Sequence, residues 1–137
     1  MPSTSIDFEQ LVRTMGDAVI VADADGVVRL WNAAAVRLFG FSEQEALGQP
    51  LDLIIPERFR DAHWKGFERA LADGDTKYRG QVPPTRSQRK DGTTIYVELT
   101  FAIVKDSSGS VIGALAHARD ITERFLKERE QRQQAQQ

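Results

Sequence analysis

The chain carries two histidines and no cysteine, and those counts decide which chemistries are open to it. His63 lies in a segment where Phe59, Ala62, His63, Gly66, Phe67, Ala70 and Leu71 recur at helical spacing and share one face. A neutral imidazole on an apolar face has two uses. It can offer a ring nitrogen to a metal, iron included, or it can fill core volume while bonded to a backbone carbonyl. His117 falls in the last predicted strand, where alternation turns it away from the side that Ala116 and Ala118 face. It belongs under the N-terminal helix or at a dimer interface. Two histidines so far apart, with no His-Glu-x-x-His pattern, do not make a zinc site. Asp23-Ala24-Asp25-Gly26 opens like a calcium loop, but no third acidic ligand follows and Asn32 stands where the loop needs its Glu. A hairpin turn is the reading that fits.

Catalysis finds no support. There is no Gly-rich phosphate loop and no Gly-x-Ser-x-Gly elbow. The carboxylates fall mostly at turns and helix starts, where capping accounts for them. Without cysteine there are no disulfides, thiolate metal sites, cysteine nucleophiles or sulfur-bonded chromophores. The chain reads as a non-enzyme.

The elements that must position these residues fit into one domain of 137 residues. Its 41% hydrophobic and 28% charged content is that of an ordinary globular fold with a real core. Eighteen basic against twenty acidic residues leave a net charge of −2, against the basic excess that nucleic acid or an anionic membrane surface requires. The longest apolar run, Ala18 to Ala22, is far short of a membrane span, and no signal peptide opens the chain. The expected location is the cytoplasm, with no membrane contact by this domain.

Phe8, Leu11, Val12 and Met15 predict a short amphipathic helix capped by Thr4 or Ser5. Residues 18–22 and 27–31 predict a hairpin closed by the Asp23–Gly26 turn. Asn32 caps a helix that Gly40 ends, and Ser42 with Glu45 forms a capping box for a very short one closed by Gly48. Pro56 fits the first turn of the longer helix that bears His63. Three strands follow, around 78–82, 95–103 and 111–119, the first interrupted by Pro83-Pro84, which needs an edge, bulge or turn. Asp120-Ile121-Thr122 opens a charged terminal helix whose tail is nearly all Gln, Arg and Glu. The fold class is α+β: a five-stranded antiparallel sheet with helices on one face, an N-terminal amphipathic helix and a C-terminal output helix. The boundaries drawn are 1–16 for the N-terminal helix, 17–120 for the core, and 121–137 for the linker and output helix, the start of a coiled coil.

Several pieces, in order and spacing, resemble a PAS domain, the sensory fold of bacterial signalling proteins, over roughly residues 6 to 125. They are Asp17 to Asp23 followed by Gly26, Trp31 to Ala34, Leu38 to Ser42 with Glu45 and Gly48, Arg89 to Thr93, and Arg119 to Arg124 around Asp120-Ile121-Thr122. The resemblance implies a sensor that holds a ligand between its helices and the inner sheet face. It implies a relay through Asp120, Ile121 and Thr122 to a C-terminal effector of kinase, cyclase or chemotaxis type, such as a histidine kinase of a two-component system. A salt bridge from Glu43 or Glu45 to Lys90 is also expected.

Within that family, Pro56 to His63 is similar to the long helix of haem-binding oxygen sensors, whose histidine holds haem iron. The resemblance therefore implies haem b with His63 as iron ligand and gas or redox sensing. Phe59, Gly66, Phe67, Leu99, Phe101, Ala114 and Ala116 would form the pocket, with Gly66, Ala114 and Ala116 leaving room. Pro83 stands where the rhizobial sensors carry a distal arginine, although Arg79 or Arg86 would substitute if the loop is shifted. A cysteine-adduct flavin is excluded for want of cysteine. The alternative is a cofactor-free module for dimerisation and signal relay, or one that binds a small apolar metabolite, with His63 a core residue. Val111 and Leu115, with Val97 or Tyr96, are expected to leave an apolar outer sheet face suited to a homodimer.

Overall fold

The computed structural model describes residues 5–74 and 84–136. The element order is α1 (Phe8–Thr14), β1 (Ala18–Asp23), β2 (Val28–Trp31), α2 (Ala33–Phe39), α3 (Glu43–Ala46), two 3₁₀ turns (Leu51–Ile54 and Glu57–Phe59), α4 (Arg60–Asp73), β3 (Pro84–Gln88), β4 (Thr94–Lys105), β5 (Val111–Asp120) and α5 (Thr122–Ala135). The five strands form one antiparallel sheet in the order β2-β1-β5-β4-β3. The chain's first hairpin thus lies beside its last strand, and the intervening helices cross between the two halves.

The period-two pattern of β4 and β5 sets the inner face. Leu99 pairs with Ala118, Phe101 with Ala116 and Ile103 with Ala114, while Ala18, Ile20 and Ala22 of β1 meet Ala118, Ala116 and Ala114 from the other side. Alternation puts all of them on one face. The core joins Ile20, Val28, Trp31, Phe39, Phe67, Ile95 and Val97 to these small β5 residues. At Gly113 an added Cβ would lie 2.0 Å from the Ala22 carbonyl oxygen, so only glycine lets β1 and β5 approach there.

Several local expectations need correction. Asp7, not Ser5, caps α1, accepting a bond from the Gln10 N–H (3.1 Å), and Thr4 lies outside the described residues. Pro56 does not open α4, because a 3₁₀ turn separates it from Arg60. As expected, Gly48 closes α3, in the left-handed region (φ +83°) just past the C-cap Leu47. Val97 is fully buried in the inner core rather than on the outer face. The expected strand at 78–82 lies outside the described residues, and β3 starts at Pro84 on the sheet edge, where proline costs no ladder bond. The capping box of Ser42 and Glu45 and the Asn32 cap form as the residue types dictate. Among the described residues, no helix is long and apolar enough to cross a membrane.

Candidate functional site

α4 carries His63, half-buried, beside Trp64 and Phe67 of the same helix. Its helix is anchored at its start by Arg60, whose guanidinium donates to the carbonyls of Ile55 (3.0 Å) and Asp52 (3.2 Å). Gly74, in the left-handed region at φ +69°, ends it. The His63 ring lies near-parallel to Phe67 at 6.1 Å and edge-on to Trp64 at 5.0 Å. Its Nδ1 is fully buried with no hydrogen-bond partner. Burial pushes the imidazole pKa below its ordinary value, outweighing the nearby Asp52 carboxylate, which pulls it up. The ring is therefore neutral at pH 7, with a polar nitrogen left unsatisfied in an apolar wall. Such a group costs about 1–3 kcal/mol.

The residues singled out around it do not all gather. Phe67 and Ala114 belong to the buried cluster, and Leu99 and Ala116 pack against it. Phe101 is half-buried, opposite Ala116 in the ladder. Phe59 departs from the expected stripe. It precedes α4, is 39% exposed and lies under the Arg58 guanidinium at 4.7 Å. Gly66 is exposed, and a Cβ there would meet nothing within 4 Å. Arg79 and Pro83 lie outside the described residues. Arg86 is on β3, its guanidinium over the Tyr96 ring at 5.5 Å.

Two residues absent from the sequence reading complete the site. Trp64 donates its indole N–H to Asp52 Oδ1 at 2.6 Å. The same indole covers Gly26, whose φ of +79° and lack of Cβ leave space for it; an added Cβ would fall 2.2 Å from Cζ3. A lone acid inside Leu51-Asp52-Leu53-Ile54 was the signal available in the sequence.

At the far end of the inner face, β5 passes into α5. Asp120 Oδ1 accepts from the Thr122 N–H (2.9 Å) and hydroxyl (2.6 Å). The Tyr96 N–H donates to Thr122 Oγ1 (2.9 Å), and the Ile121 N–H to the Tyr96 carbonyl (2.9 Å). Tyr96 stacks on Phe125 at 4.1 Å, and Arg124 pairs with Glu98. Since Ile95 and Val97 face the core, Tyr96 between them faces out, and the junction grips the same stretch of β4 that lines the inner face.

Elsewhere, Lys90 pairs with Glu45, while Glu43 pairs with Arg13 at 2.9 Å. The Lys90 ammonium, then the Ser42 N–H, holds the Glu45 carboxyl at about 2. His117 Nε2 and the Arg119 guanidinium meet Asp17 Oδ2 at 3.1 and 3.2 Å. Asp23 accepts from Arg29 and from the N–H groups of Asp25 and Val27, which makes it a turn residue. Among the described residues, no group of three or more His, Asp or Glu side chains is placed to hold a metal.

A family model described as the PAS fold matches residues 6–121. The chain is 34% identical over 113 residues to the sensor protein FixL of Bradyrhizobium diazoefficiens, covering 82% of this chain and 22% of that protein. It is 29% identical over 128 residues to the oxygen sensor protein DosP of Escherichia coli, covering 93% of this chain and 16% of that one. The chain thus spans about a fifth of these relatives. Among solved structures, an RNA-binding light-oxygen-voltage receptor superposes with a TM-score of 0.74 at 23% identity, over all of this chain and 41% of that one.

Proposed function

This chain belongs to the PAS family, and on that premise we propose that it is the sensory module of a larger signalling protein, with His63 as the protein ligand of a haem b. The observation that carries this reading is His63 itself: a neutral imidazole with a buried, unpartnered nitrogen in an apolar wall. A relative named as an oxygen sensor supports it. Amino-acid side chains do not bind dioxygen reversibly, so a gas sensor needs a metal. A haem iron asks the protein for only one axial nitrogen, which suits a chain with a single histidine on this face. When bound, haem would supply an iron whose ligand and redox state report gas or potential.

The chain's own residues would do the rest. His63 would hold the iron through its ring, while Phe67, Leu99, Phe101, Ala114 and Ala116 would exclude water and seat the apolar macrocycle. Gly66 and Phe59 would lie at the solvent edge. A shift at Leu99 or Ala116 would reach Tyr96 and Asp120 along β4 and β5. From there the bonds to Ile121 and Thr122 would re-aim α5 toward an effector of kinase, cyclase or chemotaxis type. In this reading the domain itself is not an enzyme. The exposed apolar residues Ile6 (62%), before α1, and Phe8 (70%) and Leu11 (46%) on it support pairing of two copies. No cysteine is present for a flavin adduct.

The test is an absorption spectrum of the protein expressed with haem supplied, beside His63→Ala. An intense band near ~400 nm, lost in the variant, is the expected result. No band, or one indifferent to the substitution, would leave His63 a core residue and the domain a cofactor-free relay or a binder of a small apolar metabolite.

A further inference from the structure

The unsatisfied His63 nitrogen belongs to a ring that packs edge-on against Trp64, whose indole is bonded in turn to Asp52. Trp64 follows His63 on α4, yet its indole reaches two other elements. The ring rests on Gly26 in the β1–β2 turn, and the N–H bonds Asp52 at 2.6 Å in the first 3₁₀ turn, Leu51–Ile54. The indole edge is held 5.0 Å from the His63 ring at 73°, and 5.4 Å from Phe67 at 82°. A side chain fixed at both ends in this way cannot rotate without breaking the Asp52 bond or leaving the Gly26 seat. It therefore walls one side of the imidazole.

We propose that Trp64 and Asp52 are positioning residues that set the ring plane of His63 in the ligand-free protein, so that the ligating nitrogen is aimed before any iron arrives. The proposal rests on the reading of His63 as an axial ligand and deepens it. Ligating histidines are usually oriented by a partner on the second ring nitrogen. Here Nδ1 has none. Orientation must come from packing, and Trp64 is the neighbouring ring with a hydrogen-bonded lock of its own. Asp52 serves as the acceptor in that lock and also places a negative charge near the imidazole.

The variants separate these roles. Trp64→Phe keeps an aromatic ring near Gly26 but removes the donor. Asp52→Leu removes the acceptor, and Asp52→Asn keeps an oxygen acceptor without the charge. In ligand-free protein the readout is the long-range proton–nitrogen spectrum of the His63 ring. We expect one sharp set of signals in wild type and Asp52→Asn, and broadened or doubled signals in Trp64→Phe and Asp52→Leu. Haemin titration should show affinity about tenfold weaker in Trp64→Phe and Asp52→Leu, the low end of the range for partners that orient a metal ligand, and nearly unchanged in Asp52→Asn. Unaltered ring signals in Trp64→Phe and Asp52→Leu would overturn the proposal, as would Asp52→Asn behaving like Asp52→Leu. If wild type takes up no haem, the axial-ligand reading fails by itself, and the ligand-free spectra still decide whether the lock orients His63.

Discussion

Asn32→Ala offers a severe test of how the N-terminal third of the chain is held. Asn32 is 1% exposed and its side chain makes four bonds. Its oxygen accepts from the N–H groups of Val19 and Ala35, both at 3.0 Å, and its amide donates to the carbonyls of Val12 (3.0 Å) and Asp17 (3.1 Å). One residue thus caps α2, closes the end of the β1–β2 ladder at Val19 and pins the end of α1. Losing the cap costs about 1 kcal/mol. The Val19 N–H, in a buried strand, would lose its partner at about 1–3 kcal/mol. The two carbonyls lie nearer the surface and regain water, so they add little. The sum is about 2–4 kcal/mol, a large share of a typical total of about 5–15. Urea unfolding followed by tryptophan fluorescence would show the midpoint fall with the slope unchanged. Asn32→Asp should not rescue, because it keeps the acceptor but aims a buried charge at two carbonyl oxygens. A loss below about 1 kcal/mol for Asn32→Ala, or full rescue by Asp, would refute the assignment of all four bonds as contributors.

Three further outcomes follow from other sites. Gly66→Ala should stabilise the ligand-free protein by about 0.5–1 kcal/mol in urea unfolding, since the position is mid-helix with open space around an added Cβ; a loss of stability would mean that α4 packs there. The Glu45 carboxyl is held at about 2 against an ordinary 4.5, chiefly by Lys90. A lowered folded-state value means that its contribution is fully present above pH ~4.5 and lost as pH falls toward ~2. Both partners are exposed, so Lys90→Ala and added salt should each flatten melting temperature against pH in that window. Phe125→Ala, which removes the stack on Tyr96, should speed amide exchange in the first turns of α5 while costing about 0.5–1.5 kcal/mol of global stability; unchanged exchange would place the grip on α5 in Thr122 alone.

Much of the architecture is legible in the sequence because single residues dictate it. The alternation from Ile95 to Ile103 fixes the inner face of β4, and Asn32, Ser42 and Gly40 mark their helix ends by cap chemistry. The Glu45–Lys90 bridge is foreseen, with Glu43 taken instead by Arg13. Phe59 shows the limit of periodicity: the 3₁₀ turn after Pro56 breaks the helical phase, and the ring swings out to Arg58. An outer-face Val97 beside Tyr96 conflicts with that same β4 alternation, which groups Val97 with Ile95 and Leu99; the outward position is that of Tyr96, on which Phe125 stacks. Trp64 and Asp52 are invisible to spacing because their bond joins separate elements, one of them an irregular turn.

The central claim, that the His63 ring nitrogen is what the site offers to iron, is tested most directly by emptying that position and refilling it. Haemin would be titrated into wild type and His63→Gly, the latter with and without free imidazole. The account predicts a tight six- or five-coordinate spectrum in wild type, its loss in His63→Gly, and its return when imidazole enters the vacated space. Equal uptake and identical spectra in wild type and His63→Gly would contradict it.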